Sequence, residues 1–306
     1  MRFINLKTKA QEAGLSSPSV LCIGNFDGVH LGHRQLVAAV LAEYEKLKPS
    51  HPELVSCAWF FDSNFYKSVK EIFSLDEKLD VFASLGIDYA IIADFKDMQN
   101  LSPSQFVSDV LIRECRCIHA VCGENFRFGQ KACGDAELLA DLMCKRATIV
   151  PLLTFDSDII SSTYIRQLLA NGMIEKANKL LGSNYTVSEK VVHGKKLGRK
   201  LGIPTINQNV SSKSMILKNG IYVTACTIDG VSYPGVTNVG VRPTVDSDGT
   251  QNVETHVIGF DGDCYEKVVR IEFLTRIRDE RSFESVDALK ARIECDIDAA
   301  RQYFKK

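Results

Sequence analysis

Long apolar runs are missing from this sequence. The best, Leu54 to Phe61, is far shorter than the about 20 residues a membrane helix needs, so no membrane partner is expected. An excess of either charge is missing too. With 37 basic and 38 acidic side chains there is no bulk field to recruit nucleic acid, and any anion site is local. Among ten cysteines there is no Cys-x-x-Cys, which excludes zinc-ribbon and thioredoxin patterns. Several sit in apolar runs (Cys22, Cys57, Cys226), where a thiol acts as a small hydrophobe, and all are expected to be reduced and structural. Eight prolines and 20 glycines in 306 residues are too few for a disordered or collagen-like chain. The first fifteen residues mix Lys, Gln and Glu with apolar side chains and lack a signal-peptide core, so a cytoplasmic location is expected.

What is present divides in two. Up to about Gly182, strand-like and helix-like segments alternate. Strands are expected at Ser19 to Ile23, Leu54 to Phe61, Tyr89 to Ala93, Ile118 to Cys122 and Thr148 to Thr154. Between them, Leu36, Val37, Val40, Leu41 and Tyr44 recur at helical spacing, as do Leu75, Leu79, Phe82 and Leu85 up to Gly86. A third helix opens at Ser102-Pro103 and carries Phe106, Val110 and Leu111; a fourth covers Ala136 to Lys145. This alternation implies βαβ crossovers and a doubly wound, Rossmann-like parallel sheet. From Asn184 onward, β-rich runs (Gly220 to Ile228, Val253 to Phe260, Lys267 to Leu274) are separated by turns. Asp229-Gly230 and Asp261-Gly262 read as hairpins. The second half is expected to be an antiparallel β-barrel or sandwich, closing with one amphipathic helix that carries Phe283, Val286, Leu289, Ile293 and Ile297. The expected domains are residues 1–183 and 184–306.

Chemistry concentrates in a few segments. Gly24-Asn25-Phe26-Asp27-Gly28-Val29-His30-Leu31-Gly32-His33 joins the first of these strands to its helix, on the sheet edge where open α/β folds bind ligands. Glycines admit a phosphate close to the backbone, and His30 and His33 share one helix face as hydrogen-bond donors. The segment is neither a Walker loop nor Gly-x-Gly-x-x-Gly. Gly123-Glu124-Asn125-Phe126-Arg127-Phe128-Gly129 follows the fourth strand, on the same edge. Ser161-Ser162-Thr163-Tyr164-Ile165-Arg166 follows the fifth and reads either as a plain helix cap or as a phosphate contact.

In the second half, Gly194-Lys195-Lys196-Leu197-Gly198-Arg199-Lys200-Leu201-Gly202 combines four cations with open backbone. It is either a solvated basic loop or a polyphosphate cradle. Thr205 and Asn207 follow, two apart in an extended run, a hard-oxygen pair suited to Mg²⁺ carried by phosphates. Glu254 lies in a β-rich run as a general base or an exposed carboxylate, and spacing alone does not bring it to Thr205.

These motifs in this order, with Asn238-Val239-Gly240-Val241-Arg242-Pro243-Thr244 and Arg278-Asp279-Glu280, resemble the bacterial bifunctional riboflavin kinase/FMN adenylyltransferase family from about Ser19 to Phe304. The resemblance implies an N-terminal nucleotidylyltransferase that joins ATP to FMN, giving FAD and pyrophosphate. Gly24, Asn25, Phe26, Asp27, His30, His33, Asn125, Ser162, Thr163 and Arg166 would be its ATP-binding residues, with His30 and His33 catalytic. It implies a C-terminal riboflavin kinase in which Gly194, Gly198, Thr205 and Asn207 bind Mg-ATP and Glu254 deprotonates the riboflavin hydroxyl.

One segment departs from the family. After the second of these strands a Phe-x-Pro-His-Pro stretch is usual, whereas here the chain reads Trp59-Phe60-Phe61-Asp62-Ser63-Asn64-Phe65-Tyr66. That departure keeps open a kinase-only reading, with the first half impaired for FMN. Phe61, Phe65 and Tyr66 then either stack on the flavin or belong to the core. A non-catalytic flavin- or RNA-binding regulator is the reading from another class.

Overall fold

The computed structural model describes residues 2–6 as backbone and residues 14–61, 70–194, 198, 201–215, 217–241 and 251–305. It divides into two compact units, Met1–Ser162 and Thr163–Lys306. The division falls some twenty residues before the change of texture near Gly182.

In the first unit the elements are β1 (Arg2–Leu6), β2 (Ser19–Ile23), α1 (Leu31–Leu47), β3 (Val55–Phe61), α2 (Leu75–Ser84), β4 (Tyr89–Ala93), α3 (Phe106–Glu114), β5 (Cys117–Gly123), α4 (Ala136–Leu142) and β6 (Ala147–Val150). The six strands form a parallel sheet in the order β1-β4-β3-β2-β5-β6. Helices cover both faces, so the central strands β2, β3 and β4 are buried on both sides. In β2, Val20 and Cys22 pack with Leu36, Val37 and Val40 of α1, while Leu21 and Ile23 face Phe106, Val110 and Leu111 of α3.

Several elements differ from expectation. β1 is not among the strands expected from the sequence, whose first fifteen residues mix Lys, Gln and Glu with apolar side chains. The third helix is a π-helix, with its wider turn closed by Cys115 N–H on the Val110 carbonyl. The last strand stops at Val150, before Pro151, and a short ribbon of Thr154–Phe155 with Asp158–Ile159 intervenes before the Ser161 segment.

The second unit begins within α5 (Ser162–Ala170) and continues with α6 (Ile174–Leu181), β7 (Tyr185–Val192), β8 (Ile206–Asn209), β9 (Gly220–Ile228), β10 (Val231–Val241), β11 (Gln251–Val257), β12 (Val268–Arg278) and α7 (Val286–Tyr303). The strands close into an antiparallel barrel, β7-β8-β11-β10-β9-β12 and back to β7. α6 docks on it through Asn178, whose amide donates to the Phe273 carbonyl at 2.8 Å and whose oxygen accepts from Tyr185 N–H at 2.8 Å. That packing groups α6 with the barrel.

Asp229-Gly230 is the two-residue turn between β9 and β10, with φ of 48° and 80°. Asp261-Gly262 is not a hairpin turn: β11 and β12 are not neighbours, so the chain there crosses the barrel end. Phe283 precedes α7 instead of lying on it, and Val286 is exposed; the helix buries Asp296, Ile297 and Ala300. All ten cysteines are free, and seven of them are buried; Cys133, Cys144 and Cys295 are exposed and have no place in the core.

Asp296 ties α7 to the barrel. Its buried carboxylate accepts from Arg278 Nη2 at 2.6 Å and pairs with Arg292 Nη2 at 3.0 Å. Removing one partner of a buried pair leaves the other charge uncompensated. Asp296→Ala is therefore expected to destabilise the barrel unit by about 3 kcal/mol or more, read as a lower urea midpoint by far-UV circular dichroism.

Candidate active sites

In the first unit, β2 and β5 are neighbours, and their crossovers lead to helices on opposite faces of the sheet. Gly24 and Gly123 thus leave adjacent strands at the point where the strand order reverses, where doubly wound sheets bind ligands. After Ile23 the chain turns through Phe26 (φ 50°) and Gly28 (φ 78°) into His30, the cap of α1. His30 Nδ1 accepts from the backbone N–H of His33 at 3.3 Å. That bond leaves the proton on His30 Nε2. The two imidazoles stack, with centroids 3.6 Å apart and planes 16° from parallel. Gly32 permits this, since a Cβ there would sit 3.3 Å from the His30 ring.

The His33 ring rests on the edge of Phe26 at 5.1 Å, and its Nδ1 is enclosed with no hydrogen-bond partner among the described residues. An unpaired acceptor is tolerated better than an unpaired N–H, so the proton belongs on Nε2. Two neutral imidazoles then present Nε2–H donors beside the first turn of α1, whose open amides favour anions.

Burial holds both rings neutral. It lowers His30 to about 4. It also pushes His33 well below its usual value, helped by the neighbouring His30 and Lys78. The unfolded chain binds these protons more readily, so the stability involved is present above about pH 6.5 and is lost as pH falls towards about 4. His30 alone is expected to contribute about 3 kcal/mol. Trp59, the only tryptophan and buried in the first unit, gives the readout: urea midpoints by fluorescence should drop between pH 7 and pH 4.

The other expected residues of this site have mixed placements. Phe26 is fully buried against Phe60 and Phe82, a prop beneath His33 and not a surface contact. Asp27 holds local structure: its Oδ1 accepts from Ile72 N–H at 2.9 Å and its carbonyl accepts from the Ser162 hydroxyl at 2.8 Å. Asn25 and Asn125 are exposed on the two loops. Thr163 is exposed in the first turn of α5 and Arg166 is half-buried one turn on, both in the second compact unit. Residues 62–69, with Phe65 and Tyr66, lie outside the described residues, while Phe61 packs on Trp59 and Phe95 at 4.8 and 5.2 Å.

In the second unit the barrel register assembles what sequence spacing leaves apart. Glu254 on β11 lies opposite Asn207 of β8 on one side and Asn238 of β10 on the other. The Thr205 hydroxyl donates to Glu254 Oε1 at 2.7 Å. Gly194 has to lack a side chain because a Cβ would stand 2.5 Å from the Asn207 amide, and one on Gly198 would come within 3.2 Å of the Thr205 hydroxyl. Of the basic loop, Lys195, Lys196, Arg199 and Lys200 lie outside the described residues, as do Arg242, Pro243 and Thr244.

Two residues join this site that the sequence reading did not pick out. Among the described residues the side-chain oxygens of Asn238 and Asn252 are buried without a hydrogen-bond partner, and the Asn252 amide approaches Asn207 Oδ1 at 3.5 Å. Asn238 sits in a motif already noted, and Asn252 is two residues before Glu254 on the same strand face. The donor set is thus hydroxyl, carboxamides and one carboxylate, all hard oxygen, which fits Mg²⁺ bound with phosphates. Among the described residues there is no group of three or more His, Cys, Asp or Glu that could hold a metal ion.

Comparison with known proteins matches each unit separately. Residues 13–164 fit the FAD synthetase family model and residues 181–304 the riboflavin kinase model. Proteins described as bifunctional riboflavin kinase/FMN adenylyltransferase from Pseudomonas fluorescens and Escherichia coli strain K12 are 33% and 34% identical, covering 92% and 93% of this chain and 92% of theirs. A crystal structure from Streptococcus pneumoniae superposes with a TM-score of 0.88 at 27% identity over 98% of this chain and 99% of that one. That protein is described as a macrolide-efflux protein; among the described residues here no helix is long and apolar enough to cross a membrane.

Proposed function

Because the chain belongs to the bifunctional riboflavin kinase/FMN adenylyltransferase family, we propose that it phosphorylates riboflavin to FMN and adenylylates FMN to FAD, using ATP in each step. The observation that carries this reading is that each family match contains its own assembled site: stacked neutral imidazoles in one, Thr205 bonded to Glu254 in the other. We assign phosphoryl transfer to residues 184–306 and adenylyl transfer to residues 1–183.

In the kinase half, Glu254 accepts the proton of the riboflavin 5′-hydroxyl as that oxygen attacks the γ-phosphorus of ATP and ADP leaves. Thr205 and Asn207, with Gly194 and Gly198 making room, hold the nucleotide phosphates, and Mg²⁺ bound there would neutralise their charge. In the adenylyltransferase half, an FMN phosphate oxygen attacks the α-phosphorus of a second ATP; a new P–O–P bridge forms and the bond to pyrophosphate breaks. His30 and His33 donate from Nε2 to phosphate oxygens on which charge builds. Asn125, Ser162, Thr163 and Arg166 are assigned to binding that ATP. The reading places the protein in the cytoplasm, where ATP and flavins are available.

The test supplies the purified chain with Mg²⁺, ATP and either riboflavin or FMN, and follows products by chromatography. FMN and FAD from riboflavin, and FAD with pyrophosphate from FMN, are expected. FMN without FAD would establish the kinase-only alternative, and neither product would leave a non-catalytic flavin binder.

A further inference from the structure

We propose that Lys78 supplies the cationic phosphate ligand of the adenylyl-transfer site, its ammonium holding a phosphate oxygen of the reacting nucleotide beside His33. The inference rests on the adenylyltransferase reading above and adds to it a residue that no motif marks.

Lys78 lies in the middle of α2, one turn before Phe82 and on the same helix face. Phe82 packs edge-on against Phe26 at 5.2 Å, and Phe26 against His33 at 5.1 Å. The face of α2 that carries Lys78 is therefore the one laid against the turn from Gly24 to His33. The hydrogen bond from Ile72 N–H to Asp27 Oδ1 pins the lead-in to α2 on that same turn. The Lys78 charge reaches His33, where it adds to the depression of the imidazole's proton affinity.

The burial of this lysine is what calls for a ligand. It is 3% exposed, and its Nζ has no hydrogen bond or ion pair among the described residues; Nζ is not one of the fully enclosed polar atoms, so the ammonium stays open to a ligand at the tip of an otherwise buried side chain. Lysines are almost never enclosed to this degree unless paired, because desolvating the ammonium costs free energy that only a nearby anion returns. The unpartnered Nδ1 of His33 lies in the same pocket of structure, so the polar groups of this corner are not satisfied by one another. A phosphate is the anion that the adjoining helix terminus and imidazoles are arranged to receive. Lysine serves there as a point charge, with the imidazole N–H groups supplying direction.

The test uses the full chain carrying Lys78→Met, which keeps length and removes charge, and Lys78→Arg, which keeps charge. The expected result for Lys78→Met is an about 100-fold fall in kcat/KM for FAD formation from FMN, with FMN formation from riboflavin unchanged. Its unliganded melting temperature, followed by Trp59 fluorescence, should equal or exceed the parent's, because an unpaired buried charge has been removed. Inorganic pyrophosphate should raise the melting temperature of the parent and of Lys78→Arg, but much less that of Lys78→Met. FAD formation at the parent rate would overturn the proposal. So would a lower melting temperature with an intact pyrophosphate response, the signature of a structural brace. A parent chain that makes no FAD would instead sink the adenylyltransferase reading, and the pyrophosphate response would still decide the role of Lys78.

Discussion

His33→Ala is expected to lower kcat for FAD formation by about 100- to 1000-fold while leaving FMN formation from riboflavin at the parent rate. The size follows from the geometry. The His33 imidazole is neutral, stacked 3.6 Å from His30 and propped by Phe26, so its donor is positioned before substrate arrives. A preorganised donor aimed at developing charge does its work in the transition state, so kcat falls more than KM rises. The selectivity follows from the location of the second site on another unit. Assaying both steps on one preparation makes the kinase rate the control for protein quantity, and Trp59 fluorescence, from the same unit as His33, the control for folding. An equal loss of both activities would contradict independent sites, and unchanged FAD formation would remove His33 from the chemistry.

Glu254→Gln is expected to do the reverse, lowering FMN formation by about 1000-fold and sparing FAD formation from FMN. The substitution is isosteric, and the new amide oxygen still accepts from the Thr205 hydroxyl, which now bonds Glu254 Oε1 at 2.7 Å. Barrel geometry is thus preserved while the proton acceptor is lost. The flanking carboxamides of Asn207 and Asn238 carry no charge that would take over as base. Thermal unfolding should be near the parent's. Phosphorylation of riboflavin at the parent rate by Glu254→Gln would show that the hydroxyl is deprotonated by another group.

Much of the first site is legible in the sequence because it is local. The strand, the Gly-rich turn and the helix start occupy fifteen consecutive residues, so Ser19 to His33 carries its own geometry. Phe26 and Asp27 show the limit of such reading. Both lie in the motif, yet one is core and the other is spent on the Ile72 amide and the Ser162 hydroxyl. Lys78 lies outside every motif, since a lysine in an amphipathic helix reads as surface until packing turns its face inward.

The amino-acid order by itself determined the two-part architecture, the βαβ alternation and the His-x-Gly-His turn, because hydrophobic period and turn chemistry act over a few residues. Only tertiary structure decided which groups meet. Thr205 and Glu254 are 49 residues apart and touch because β8 and β11 pair in one register of a closed barrel. Asn238 enters from the strand on the other side. A shift of one residue would turn every one of these side chains to the opposite face, and that register is set by the whole barrel core, not by any segment alone.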